Sequence, residues 1–165
     1  MNIPRILTHL LFPGWLSRRR FPASSLARLE SAIALSEARH HGEIRVAVET
    51  ALGLWPLLRG QTARQRALEV FSEQRVWDTE ANNGVLIYLL LADRDVEIVV
   101  DRDIGRRVDP RVWQDLCEEL EAHFRAGAYE GGMQHAIAIV GRHLQAHYPR
   151  TREDHDEISN RPMRL

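Results

Sequence analysis

Two asparagines and two aspartates bracket the most apolar part of this chain. Asn82 and Asn83 stand just before the run 85–91, and Asp101 and Asp103 just after the alternating stretch 95–100. If the two stretches pair as an antiparallel hairpin about a short turn at Asp93 and Arg94, all four fall at one end, with Arg102 between the aspartates. Glu43 joins them if the strand it begins runs parallel to the first hairpin strand through a right-handed crossover. Amide and carboxylate oxygens gathered in this way suit a hard cation, calcium or magnesium. A plainer reading stands beside it: Asn82, Asn83 and Gly84 have the composition of a turn, and Asp101 and Asp103 that of loop caps. The spacing is not that of an EF-hand, because Arg106 stands where its glycine is required and Val112 at its twelfth position.

The opposite end of the hairpin offers Asp93 and Asp95, near Thr50 at the end of the preceding strand. Open α/β sheets favour ligands at the carboxyl ends of parallel strands, which points there, but turn chemistry already accounts for Asp93, Arg94 and Asp95. Other patterns carry less. His40 and His41 sit against Gly42, where an imidazolium complements a helix end. His143 and His147 share one helix edge without a third ligand at a telling spacing. Cys117 lies inside an apolar stripe with no activating base beside it, so it reads as core, and a single cysteine excludes a disulfide or an iron-sulfur cluster.

All 22 basic residues are arginine. Without lysine the chain has no P-loop lysine, no Schiff-base lysine and no Ser-Lys dyad, since each needs a primary amine. There is no glycine-rich dinucleotide fingerprint and no nucleophile elbow, so neither a nucleotide nor haem is expected. The net charge of -1 provides no field for a polyanion, and Arg106 and Arg107 lack interleaved aromatics, so nucleic acid is not expected as a partner.

The elements that position these residues are legible in the periodicity. At 165 residues one core is the economical solution, with an apolar N-terminal stripe over residues 1–22, a domain over 23–148 and a polar tail over 149–165 that is mobile or straps the surface. A helix opens at Ser24 and Ser25 and closes on a left-handed cap at Gly42. Residues 43–49 alternate as a strand, and a loop carries Gly53, Pro56 and Gly60. Thr62 and Gln65 form a capping box for a helix that runs to about Trp77. After the hairpin, Asp109 and Pro110 start a helix that ends at Gly127, and a last helix spans 129–148. This order predicts an α/β fold: a small mixed sheet with helices packed on both faces.

The N-terminal stripe of Ile3, Ile6, Leu7, Leu10, Leu11 and Phe12 is broken by Pro13 and Gly14, short of the about 18 to 20 apolar residues that cross a bilayer. Its arginines follow the apolar run, the reverse of a secretory signal, so a cytoplasmic protein is expected. The stripe docks on its own domain, on a protein partner or on a membrane surface as a peripheral anchor.

Trp77-Asp78-Thr79-Glu80-Ala81-Asn82-Asn83-Gly84-Val85-Leu86, followed by Ala92-Asp93-Arg94-Asp95-Val96-Glu97-Ile98, resembles the TPM-domain family. Gly42-Glu43-Ile44 and Phe124-Arg125-Ala126-Gly127-Ala128-Tyr129 extend the resemblance over residues 36–145. It implies an α/β sandwich, divalent-cation binding as in some members, a proposed acid-phosphatase activity, and accessory roles in membrane-complex repair or receptor function. The chain departs from the commoner pattern at Asp101-Arg102-Asp103-Ile104-Gly105, where the family is richer in glycine, and neither its signal peptide nor its C-terminal membrane span is expected here. The combined expectation is an accessory or interaction domain without catalytic machinery that binds calcium or magnesium at Asn82, Asn83, Asp101, Asp103 and Glu43. A weak metal-dependent phosphatase is the alternative, and a membrane-peripheral partner-binding module the second.

Overall fold

Six residues without a charge among them, Val85–Leu90, form a strand that is buried along its whole length (β2). Such a run needs cover on both faces and a neighbour on both sides, and the computed structural model, which describes residues 2–150 and 158–165, provides them. β1 (Ile44–Glu49) lies parallel to β2, with Ile44 opposite Val85 and Glu49 opposite Leu90. β3 (Asp95–Val100) pairs antiparallel on the other side, with Val85 opposite Val100. Arg94 closes the hairpin at a φ of 56°. The short β4 (Met163–Arg164) adds parallel to β1, giving the order β3-β2-β1-β4 among the described residues. The polar tail therefore contains an edge strand that its composition does not announce; residues 151–157 lie outside the described residues.

Alternation divides the sheet between two cores. Ile44, Val46, Val48, Ile87 and Val96 face a large core built by α3 (Ala23–Glu37), α7 (Pro110–Arg125) and α8 (Tyr129–His147). Ala47, Leu86, Tyr88 and Val99 face a smaller one under α5 (Ala63–Glu73). The α/β reading with helices on both faces is thus the observed architecture. The polar side of β1 meets charge on the helix above it and not solvent, because Glu49 accepts a hydrogen bond from Arg66 of α5.

Several boundaries differ from the sequence reading. α3 stops at Glu37, well before Gly42, because the chain then leads into the sheet: Glu37 Oε1 accepts the Ile44 N–H at 2.8 Å and His40 bridges to Pro149. Gly42 has no left-handed φ; an added Cβ there would stand 2.4 Å from a methyl of Leu144, so the site demands smallness. His40 is buried against Ser36, 3.0 Å away, and does not cap the helix in solvent. The expected loop at 53–60 holds a one-turn helix, α4 (Leu54–Leu58). α5 opens with the predicted capping box and ends at Glu73, where Arg75 takes a φ of 54°. α6 (Arg102–Arg107) was not legible at all. Asp109 caps α7, and Gly127, at a φ of 80°, turns the chain into α8.

The N-terminal segment lies on the domain, with Ile6 and Phe12 of its stripe packed on the cores and Leu7, Leu10 and Leu11 left exposed. α1 (Ile3–Leu11) presents Arg5 and His9 to Asp93: Arg5 binds its carboxylate through Nε and Nη2, and His9 Nε2 lies 2.8 Å from Oδ1. The other ring nitrogen of His9 accepts the Leu52 N–H, so its Nε2 carries the hydrogen. α2 (Gly14–Arg20) ends with Arg20 over the rings of Phe12 and Tyr129, at 5.4 and 4.6 Å. Phe21 then enters the large core.

Candidate functional site

The start of β2 and the end of β3 are stapled by backbone hydrogen bonds. Asp101 N–H donates to Gly84 C=O at 2.9 Å and Asp103 N–H to Asn82 C=O at 3.1 Å. Asn82 sits in the left-handed region at a φ of 50°, a conformation asparagine tolerates, and Asn83 N–H is held by the Thr79 hydroxyl. The four residues picked out by sequence therefore come together, and the plainer reading is right for part of each. Asn82 turns the chain, and Asp101 caps α6, its Oδ1 accepting the Arg102 N–H at 2.7 Å.

The side chains differ in what remains for a ligand. Asp103 Oδ2 accepts from both the Tyr148 hydroxyl and Arg107 Nε, each at 2.7 Å. Those hydrogen bonds hold its carboxyl below the usual carboxylate range. Glu43 passes its carbonyl to Val85 N–H, and its Oε2 accepts the Ile158 N–H. Asn82 Oδ1 accepts from Arg102. Two oxygens stand apart: Asn83 Oδ1 and Asp101 Oδ2 are buried and accept no hydrogen bond, in residues 0% and 4% exposed. Asn83 Nδ2 donates to the His41 carbonyl, which fixes the orientation of the amide and leaves its oxygen as the orphan. Buried acceptors without a donor are uncommon and costly, so two on adjacent strand ends mark a place where a ligand would be welcome.

Among the described residues no three His, Cys, Asp or Glu side chains converge to hold a metal ion. The donor set that fits a hard cation is accordingly smaller than the sequence suggested: Asn83 and Asp101, with the remaining positions left to water, as magnesium commonly accepts. Beside it, Asn82, Arg102, Asp103 and Arg106 line a shallow cavity of about 330 Å³. Arg107 and Tyr148 are the residues that sequence reasoning missed. The i,i+4 spacing from Asp103 could have revealed Arg107, whereas Tyr148 arrives from the far end of α8.

The opposite end of the hairpin has its own electrostatics. Burial would raise Asp93, yet the hydrogen bonds from Arg5 and His9 outweigh it and hold the carboxyl low. Turn chemistry therefore does not account for Asp93. Asp95, by contrast, is pushed up to about 6 by burial and then by the carboxylates of Glu97, Glu121 and Asp93. It lines a groove of about 500 Å³ between β3 and α7. Cys117 lines the same groove, and burial pushes its thiol up to about 12, the reverse of what a nucleophile requires.

The shift at Asp95 makes a sign-specific prediction. Folded protein holds the proton more tightly than the unfolded chain, whose ordinary value is 3.8, so stability falls as pH rises from there to about 6 and stays lower above. Asp95→Asn is expected to stabilise the protein at pH 7 by about 1 kcal/mol, after allowing for solvent screening, and to flatten the dependence below neutrality. Denaturant midpoints measured across that range check it; a variant less stable than the parent at pH 7 contradicts it.

A family model described as the TPM domain matches residues 19–143. Among solved structures, the NMR structure of the BA42 protein from the psychrophilic bacterium Bizionia argentinensis superposes with a TM-score of 0.77 at 26% identity, covering 88% of this chain and 95% of that one. The N-terminal domain of a P. gingivalis protein, also solved by NMR, gives 0.62 at 16% identity over 79% and 82% of the two chains, a likeness of fold. No curated protein matches the sequence.

Proposed function

The chain belongs to the TPM-domain family, and on that premise we propose that it is an accessory domain that binds a divalent cation, magnesium or calcium, at the junction of β2 and β3. The observation that carries this reading is the pair of buried, unpartnered oxygens, Asn83 Oδ1 and Asp101 Oδ2. Asp101 supplies the charge, Asn83 a neutral oxygen, and water the rest of the shell. Asp103 orients α6 through Tyr148 and Arg107 and is a positioning residue, not a ligand. A site with so few protein ligands binds in the range of about 0.1 to 1 mM.

Titration of the isotopically labelled chain with magnesium or calcium, followed by NMR, tests this. Amide shifts are expected to centre on residues 82–84 and 101–103, to vanish in Asp101→Asn and to weaken in Asn83→Ala. Asp103→Asn should retain them. Absence of shifts at about 10 mM metal, or shifts that survive Asp101→Asn, overturns the assignment.

A second reading, a weak metal-dependent phosphatase, is favoured by the cavity beside the site, where Arg102 and Arg106 could meet phosphate oxygens. The carboxylate that lines the cavity, Asp103, is engaged by Arg107 and Tyr148, so attack would fall to a water polarised by the cation. Turnover of an aryl phosphate that requires added magnesium and is lost in Asp101→Asn supports this reading; turnover indifferent to both removes it.

A further inference from the structure

Large apolar side chains left in solvent are concentrated at one end of the molecule. They include Leu7, Leu10 and Leu11 on α1, Trp15 on α2, and Leu54 and Trp55 on α4, with Leu11 and Trp55 77% and 72% exposed. α1 and α4 lie side by side and antiparallel: Leu52, ahead of α4, binds His9, while the carbonyl of Gln61, beyond it, binds Arg5. Arg5 and His9 pin one face of α1 to Asp93, so the helical period sends Leu7, Leu10 and Leu11 outward. The fold holds this helix through Arg5, His9 and Ile6, which packs on the smaller core, and leaves Leu7, Leu10 and Leu11 to water, an unusual share for a surface helix.

The segments that build the patch are one-sided in charge, with Glu69 beside Arg59 and Glu130 beside Arg19 as the carboxylates that border them. Residues 1–29 contain no aspartate or glutamate, and neither do residues 50–68. Arg18, Arg19 and Arg59 are exposed on these same stretches. In a chain whose charges nearly cancel, the segments that build the patch carry the cations alone. Tryptophan and leucine with an arginine fringe are the composition of a surface that enters the headgroup boundary of a bilayer.

We propose that this end of the molecule docks on an anionic bilayer, with α1 and α4 lying in the plane of the interface, Trp15 and Trp55 at headgroup level and Arg18, Arg19 and Arg59 on lipid phosphates. No described helix is long and apolar enough to cross a membrane, so the contact is peripheral. The candidate cation site lies at the other end of β2, about 20 Å away for a strand of this length, and faces the aqueous phase in the docked state. The proposal does not depend on metal being bound there.

Sedimentation of the full chain with vesicles tests it. The protein is expected to sediment with vesicles of phosphatidylcholine and phosphatidylglycerol, with a blue shift of tryptophan emission, and to stay in solution with phosphatidylcholine alone. The double change Leu7→Glu with Leu11→Glu should lower partition at least about tenfold. Each of Arg18→Gln and Arg19→Gln should lower it about fivefold. Leu35→Glu, an equally exposed leucine near the end of α3 at the opposite end of the sheet, serves as the control and should change nothing. These side chains are exposed, so thermal melts of the variants should match the parent. Equal partition on both vesicles, no partition on either, or binding indifferent to Leu7→Glu with Leu11→Glu overturns the proposal, as does an apolar self-association that persists without lipid.

Discussion

Gly84→Ala is expected to cost at least about 3 kcal/mol, and with it a large share of the stability of a domain of this size. An ideal Cβ at this position would stand 2.0 Å from the carbonyl oxygen of Val76 and 3.0 Å from a methyl of the same residue. The first is backbone, so no rotamer change relieves it, and Val76 is itself fully buried between α5 and β2. Moving either segment also disturbs the Gly84 carbonyl that receives Asp101 N–H, and so the strand junction that holds Asn83 beside Asp101. The loss should appear as a fall in melting temperature of about 6 to 12 °C. Gly131→Ala is the matched control: nothing lies within 4 Å of its added Cβ, inside α8, and the change should stabilise by about 0.5 kcal/mol. If the two variants melt together, close packing is not why residue 84 is glycine.

The second large effect lies beneath α5. Glu49 Oε2 accepts from the Tyr88 hydroxyl at 2.8 Å and from Arg66 Nε at 2.9 Å, while Arg66 also meets Glu69 and Glu73. Burial first, and then the Glu49 carboxylate, keep the Tyr88 phenol protonated far above its ordinary range. Burial alone would lower Arg66, but its hydrogen bond to Glu49 more than reverses that. Glu49→Ala strands a buried hydroxyl and half-frees a guanidinium, at a cost of about 3 kcal/mol. Tyr88→Phe removes one hydrogen bond from a carboxylate that keeps another, about 1 kcal/mol. Combining Glu49→Leu with Tyr88→Phe should be less damaging than Glu49→Leu alone, because no hydroxyl is then left unpaired. Urea unfolding of the set checks this; strict additivity removes the network.

Both effects arise on elements the sequence had located without showing what they touch. The capping box at Thr62 and Gln65, the hairpin about Asp93 and Arg94, and the Asp109-Pro110 helix start are local features, each written within a few residues. The gathering of Asn82, Asn83, Asp101 and Asp103 was legible for the same reason, since a short turn fixes register and register fixes which ends meet. α6 escaped because six residues with a glycine and three arginines have no apolar stripe, only one buried isoleucine. α3 ended early because the chain beyond Glu37 turns to join the sheet, where His40 bridges to Pro149 and the Glu37 side chain receives the first N–H of β1.

What the sequence determined by itself is the strand pair, the parallel partner, the helices with apolar stripes and the absence of any lysine-based chemistry, all consequences of periodicity, turn residues and composition. The tertiary structure alone decided which polar atoms remain available. It tied Asp103 to Tyr148, 45 residues away, and Asp93 to Arg5 and His9 across more than 80, and it left Asn83 Oδ1 and Asp101 Oδ2 buried without donors. It also turned Leu7, Leu10 and Leu11 of α1 outward by anchoring Arg5 and His9. The reason is common to all of these: a side chain's partners are set by packing between distant elements, and no local pattern records them.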